Sequence, residues 1–369
     1  MTQKKKLAIA CQGGGSHTAF TAGVLKKLLE KEVQHHYNLI GLSGTSGGAL
    51  CATLTWIGLL EEAKGEPGPV YKRLINFWQA NSAISAWEKA LNNFTIELLK
   101  LQDKALIPSF APNPYSQQGV LKTLMSMTPR KEYLDFEQML VNRIPFQQIP
   151  HLIEADSPRL LMGAANVLSG EFKAFDSKLG EINVEAVKAS AAIPSLFMAV
   201  RIGEELYWDG IFSENPPISG FVEKATEDGL VDPEEMPEEL WVVLVNPKER
   251  NTEPTTAQDI LDRRNELSGN LSLFQQIRFI ETINKWIVRG IFTPEFIDRK
   301  QLKPIKVRFI GMSPEVGGNL DYVSKLDRDP DFIEMLIEDG EKQAQTFWDE
   351  LLAGRDPHAV PSPPPVEVM

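Results

Sequence analysis

Two stretches within the first fifty residues carry almost no side chain: Gln12-Gly13-Gly14-Gly15-Ser16-His17 and Gly44-Thr45-Ser46-Gly47-Gly48. Each follows an apolar run with strand character, Lys5–Cys11 and Tyr37–Leu42, and each opens a helix-spaced pattern. In Thr18–Lys31 the pattern is Val24, Leu25, Leu28 and Leu29, and in Ala49–Leu60 it is Leu50, Leu54 and Ile57. A chain that runs twice through strand, glycine turn and helix is constrained to a parallel α/β sheet, and adjacent strand ends bring the two turns together at one edge.

Further strands are expected at Leu160–Val167, Glu171–Phe175, Ala199–Ile202, Glu205–Trp208, Leu240–Val245 and Ile305–Ile310, with helical stretches between them. This alternation predicts a sheet covered on both faces. From about residue 70 to 145 the character changes to helix. Tyr71, Leu74, Ile75 and Trp78 share one face, and Phe94, Leu98 and Leu101 continue an apolar stripe. The segment reads as a helical insertion that packs into the core or caps an acyl pocket. Ala257–Arg289 presents Leu273, Ile277, Ile280 and Ile287 to one side, and Pro330–Leu352 reads as a terminal helix. One domain over residues 1–355 is expected, followed by a proline-rich tail, 356–369, expected to be extended or disordered. No internal repeat is present.

A net charge of −12 disfavours nucleic acid and gives no general attraction to anionic membranes. The expected lipid contact is therefore local and transient. The oligomeric state is not readable. The two cysteines, Cys11 and Cys51, sit among small and apolar neighbours and read as reduced and buried. The apolar run Leu7–Cys11 is shorter than the roughly 7–15 residues of a signal-peptide core, and no stretch reaches the roughly 18 apolar residues of a membrane span. A cytoplasmic location is the expectation.

The register of the second turn makes Ser46 the candidate nucleophile. Gly41-Leu42-Ser43-Gly44-Thr45 fails the G-x-S-x-G pattern at its last place, whereas Gly44-Thr45-Ser46-Gly47-Gly48 satisfies it with Gly44 and Gly48 as the flanking elbow glycines. The first turn can hold a phosphate or a developing oxyanion, since both bind free amides at the positive end of a helix dipole. A dinucleotide fingerprint starting at Gly13 would need a glycine at Thr18, and the chain has no Gly-Lys-Ser/Thr for a P-loop. The oxyanion reading gains from a serine one strand away.

A serine needs a base, and the five histidines, His17, His35, His36, His151 and His358, are poorly placed for one. An α/β-hydrolase order would require His151, in a Pro-His-Leu connection, or His358, in the tail. An aspartate can serve directly if held against the hydroxyl. Glu205-Leu206-Tyr207-Trp208-Asp209-Gly210 ends a strand in an acid followed by a permissive glycine, so Asp209 is the candidate base.

The three elements Gly13-Gly14-Gly15-Ser16-His17, Gly44-Thr45-Ser46-Gly47-Gly48 and Asp209-Gly210, in that order, resemble the patatin-like phospholipases. The block Ala189-Ser190-Ala191-Ala192-Ile193-Pro194-Ser195-Leu196-Phe197 is similar to one of theirs as well. The resemblance, over roughly residues 5–250, implies a three-layer α/β/α fold with a mostly parallel central sheet. It implies a Ser46–Asp209 dyad, an oxyanion hole from the Gly13, Gly14 and Gly15 amides, hydrolysis of fatty acyl esters of lipids or lysophospholipids, and no metal or cofactor. The chain departs from the pattern at His17, where a basic residue is usual, and at Ile211, where Gly or Ala is usual. A catalytically weak or inactive lipid-binding relative is the alternative.

Overall fold

Strand β1 (Lys6–Cys11) alternates its side chains between two cores, as a strand covered on both faces must. Leu7, Ile9 and Cys11 enter one core and Ala8 and Ala10 the other. The computed structural model describes residues 4–103, 106, 114–115, 119, 123–125, 128–194, 196–223, 230–250 and 253–356.

The sheet has eight strands: β1, β2 (Asn38–Thr45), β3 (Arg159–Asn166), β4 (Phe172–Asp176), β5 (Val200–Ile202), β6 (Glu205–Asp209), β7 (Glu239–Leu244) and β8 (Lys306–Gly311). Their order is β5-β6-β3-β2-β1-β7-β8, with β4 also paired to β3. The run from β3 through β2, β1 and β7 to β8 is parallel, and β4, β5 and β6 join antiparallel. Helices α1 (Ala19–Glu30) and α2 (Gly47–Ala63) and the C-terminal helix Pro330–Leu352 pack on the Leu7 face. The long helix Ala257–Val288 covers the other through Leu273, Ile277 and Ile280. The expected layers and the two long helices are therefore present, with strand and helix ends shifted by a residue or two, except at β2 and α2.

Strand β2 continues three residues beyond the expected end at Leu42, so Ser43, Gly44 and Thr45 are strand and the turn is reduced to Ser46. In the 70–145 segment, Leu74, Phe77 and Trp78 of helix α3 (Lys72–Asn81) are buried as expected. The stripe expected to continue along α4 (Ala86–Asp103) is turned outward: Phe94 is 66 % and Leu101 39 % exposed. The inward face of α4 instead carries Glu88 and Asn92 beside the buried Ile96. Glu88 is fully buried against Arg130, at 2.8 Å, and Asn92 donates to Asp327 at 2.8 Å. Buried ion pairs override an apolar stripe, because an unpaired buried carboxylate is far more costly than an exposed phenyl ring. The proline-rich tail, with His358, and Ser195 lie outside the described residues. Among the described residues no helix is long and apolar enough to cross a membrane.

Candidate active site

The first thing the sheet does for the site is set a register. Thr45 of β2 pairs with Gly163 of β3, and Asp209 of β6 pairs with the next residue, Ala164. Residues 46 and 209, 163 positions apart in sequence, are thereby delivered to the same strand end. Ser46 follows Thr45 with φ 56° and ψ −128°, a conformation that L-residues avoid and that a strand-to-helix elbow requires. It stands at the start of the 17-residue helix α2, whose dipole favours negative charge there.

The elbow has room only because its neighbours are glycines. A Cβ on Gly48 would lie 2.2 Å from the Cys11 carbonyl oxygen, and one on Gly13 would lie 2.5 Å from Thr45 O and 2.9 Å from Ser46 Cβ. The two glycine turns thus pack directly against each other, as the sequence predicts. Gly44 is similarly tight, against the Gly48 carbonyl at 2.4 Å.

Asp209 is fully buried. Its Oδ1 accepts the Ile211 amide at 2.9 Å, while Oδ2 has no hydrogen bond of full geometry. Burial pushes the carboxyl from its ordinary 3.8 up to about 7, and the Ser46 side chain and the Ile211 amide pull against that rise. A carboxyl half-ionised near neutrality beside a serine hydroxyl is suited to accept its proton.

The structure narrows the glycine turn. The Gly13 amide donates to Asn215 Oδ1 at 2.6 Å, so it is occupied and is not a free oxyanion donor. The Gly13 carbonyl is held as well, by Asn246 Nδ2 at 2.7 Å and Asn215 Nδ2 at 3.4 Å. Gly14 and Gly15, by contrast, line the same cavity as Ser46, a space of about 210 Å³. Its apolar wall comes from Ile193, Pro194, Leu196, Ile211, Phe212 and Leu261. Among the described residues none of the 70–145 segment lines it. The rest of the lining comes from the long helix, through Leu261, Asp262, Arg264 and Asn265, and from Tyr322, Lys325 and Leu326.

Of the histidines, His17 is 2 % exposed, and its Nε2 lies 2.8 Å from Ser324 Oγ. Burial, then the nearby Lys325 ammonium, hold its pKa well below the usual imidazole value, so the ring is neutral. His35, His36 and His151 are exposed, and no described histidine lines the Ser46 cavity. The His151 triad has no structural support. Cys11 and Cys51 are free and buried, and burial raises both thiol pKa values, Cys51 to about 12.

The patatin-like phospholipase family matches residues 9–222, more than half of the chain. The chain belongs to the patatin-like phospholipase family. The family is one of lipid acyl hydrolases, and the matched segment contains both glycine turns, Ser46 and Asp209. No curated protein matches it. Among solved structures it is similar to VipD from Legionella pneumophila, at 15 % identity and a TM-score of 0.38, covering 94 % of this chain and 67 % of that one. The segments beyond residue 222 that close the cavity, from the long helix and Tyr322–Leu326, lie outside the family match.

Proposed function

We propose that this patatin-like protein is a serine acyl hydrolase acting on fatty acyl esters of phospholipids or lysophospholipids. Ser46 Oγ attacks the ester carbonyl as Asp209 takes the hydroxyl proton. The oxygen that gains charge is met by the Gly14 and Gly15 amides and by the amino end of α2. Collapse of the tetrahedral intermediate expels the alcohol, which leaves with the proton from Asp209, and an acyl-Ser46 ester remains. A water that gives its proton to Asp209 then releases the fatty acid and restores Ser46. The apolar wall from Ile193 to Leu261 accommodates the acyl chain.

The observation that carries this reading is the placement of a strained serine and a buried carboxyl of raised pKa at one strand end, beside an apolar cavity. The test is release of fatty acid from a lysophospholipid by the wild-type protein, Ser46→Ala and Asp209→Asn. A loss of about 10²–10⁴-fold or more is expected in each variant, and equal rates in all three contradict the reading. The second reading, a lipid-binding protein without turnover, draws on the buried, neutral His17 beside the glycine turn, which brings no positive charge there. The same assay separates it by finding no activity in folded wild-type protein that still binds lipid.

A further inference from the structure

Two cations stand on the wall of the Ser46 cavity, Lys325 and Arg264. Lys325 Nζ bonds Asp262 Oδ1 at 2.6 Å and lies 3.8 Å from Glu266. Arg250 reaches both of these carboxylates, Glu266 at 2.8 Å, and Arg263 reaches Glu266 at 3.2 Å. Three cations therefore share two carboxylates. Arg264 is outside this network: it is exposed, lines the cavity, and has no hydrogen bond or ion pair among the described residues. Asp262 is the only acid among the described residues lining the cavity, and it is already committed. In a chain of net charge −12, the mouth of this cavity carries surplus positive charge.

The surroundings of Arg264 are apolar. Ile260, Leu267 and Leu271 share its helix face by their spacing and are between 39 % and 59 % exposed. Leu261 and Phe212 on the cavity wall are 39 % and 43 % exposed. An unpaired guanidinium set between an apolar surface and an apolar cavity matches the boundary between acyl chain and anionic head group in a lipid.

Resting on the acyl hydrolase reading, we propose that Arg264, backed by Lys325, binds the phosphate of the lipid head group while the acyl ester reaches Ser46. This cavity then selects phosphate-bearing lipids over neutral acylglycerols. The guanidinium fork fits two phosphate oxygens.

The test measures binding, so it does not depend on turnover. Dissociation constants are determined below the micelle concentration for an ether-linked lysophospholipid, which has no ester to cleave, and for the alkylglycerol of the same chain. The proteins are wild type, Arg264→Gln and Arg264→Lys, with fatty acid release from the ester-linked lysophospholipid assayed in parallel. Wild type is expected to favour the phosphate-bearing lipid by about tenfold or more, equivalent to about 1.4 kcal/mol. The preference is lost in Arg264→Gln, kept in part by Arg264→Lys, and weakened by salt. No preference in wild type, or the same preference in Arg264→Gln, overturns the proposal. Displacement of the ether lipid by submillimolar inorganic phosphate overturns it too, by assigning the cations to the free anion. A preserved preference without hydrolysis sinks the acyl hydrolase reading and leaves the head-group site standing.

Discussion

Ser46 and Asp209 are held by their backbone amides on one short segment: Ser46 N–H donates to Ser190 O at 3.0 Å, and Asp209 N–H to Ala192 O at 3.0 Å. The Ser190 hydroxyl also accepts the Ser46 amide at 3.1 Å and donates to Gly163 O at 2.7 Å, tying the elbow to the strand that sets its register. Ser190→Ala removes both side-chain bonds. The expected result is a stability loss of about 1–2 kcal/mol by denaturant titration, and a fall in kcat larger than any rise in KM, because Ser46, the proposed nucleophile, is displaced while the cavity wall remains.

The raised Asp209 pKa predicts a rate that climbs with pH. As the proposed base it must be ionised, so kcat/KM is expected to rise through about pH 7 and level above it. Glu214 is also pushed up to about 7, by burial first, but its carboxylate accepts from Ser219 Oγ at 3.1 and 3.2 Å. Glu214→Gln therefore keeps the midpoint, whereas Asp209→Asn abolishes the limb. A midpoint that moves with Glu214→Gln contradicts the assignment.

Stability follows the opposite sign. The folded chain holds the Asp209 proton more tightly than the unfolded chain does, so its contribution is whole below about pH 3.8 and is lost as pH rises to about 7. Asp209→Asn removes that penalty. Thermal melts at pH 8 should show the variant more stable than wild type by a few kcal/mol at most, at ~1.4 kcal/mol per pKa unit, with the difference shrinking toward pH 4.

Asn215 lies six residues after Asp209 and is fully buried, and its Oδ1 is the acceptor for the Gly13 amide. Asn215→Ala leaves a buried N–H without a partner, which costs about 1–3 kcal/mol, and frees the glycine turn to shift relative to Ser46. Turnover should fall by at least about tenfold with little change in lipid binding. An unchanged kcat would show that the turn is held without this clamp.

Much of the site was legible in the sequence because glycine spacing and strand ends are local properties. The G-x-S-x-G register pointed to Ser46, and the Asp-Gly strand end pointed to Asp209; the structure brings them together. What the sequence did not disclose depends on distant pairing. The Gly13 amide is lost to Asn215, 202 residues away. Arg264 and Lys325 look like ordinary surface charges until the fold shows which of them Asp262 and Glu266 consume. The outward turn of Phe94 was hidden for the same reason, since the buried Glu88–Arg130 pair joins segments 42 residues apart. The Ala-Ser block was recognisable, but the main-chain carbonyls of Ser190 and Ala192 that hold Ser46 and Asp209 leave no side-chain signature; only the Ser190 hydroxyl does.

The identity of the nucleophile is the most direct test of a Ser46–Asp209 pair. Treating the folded wild-type protein with a fluorophosphonate ester and mapping the adduct by peptide mass spectrometry should place one phosphonyl group on Ser46, with labelling lost in Ser46→Ala and strongly slowed in Asp209→Asn. A folded protein that takes up no label, or takes it up on another residue, contradicts it.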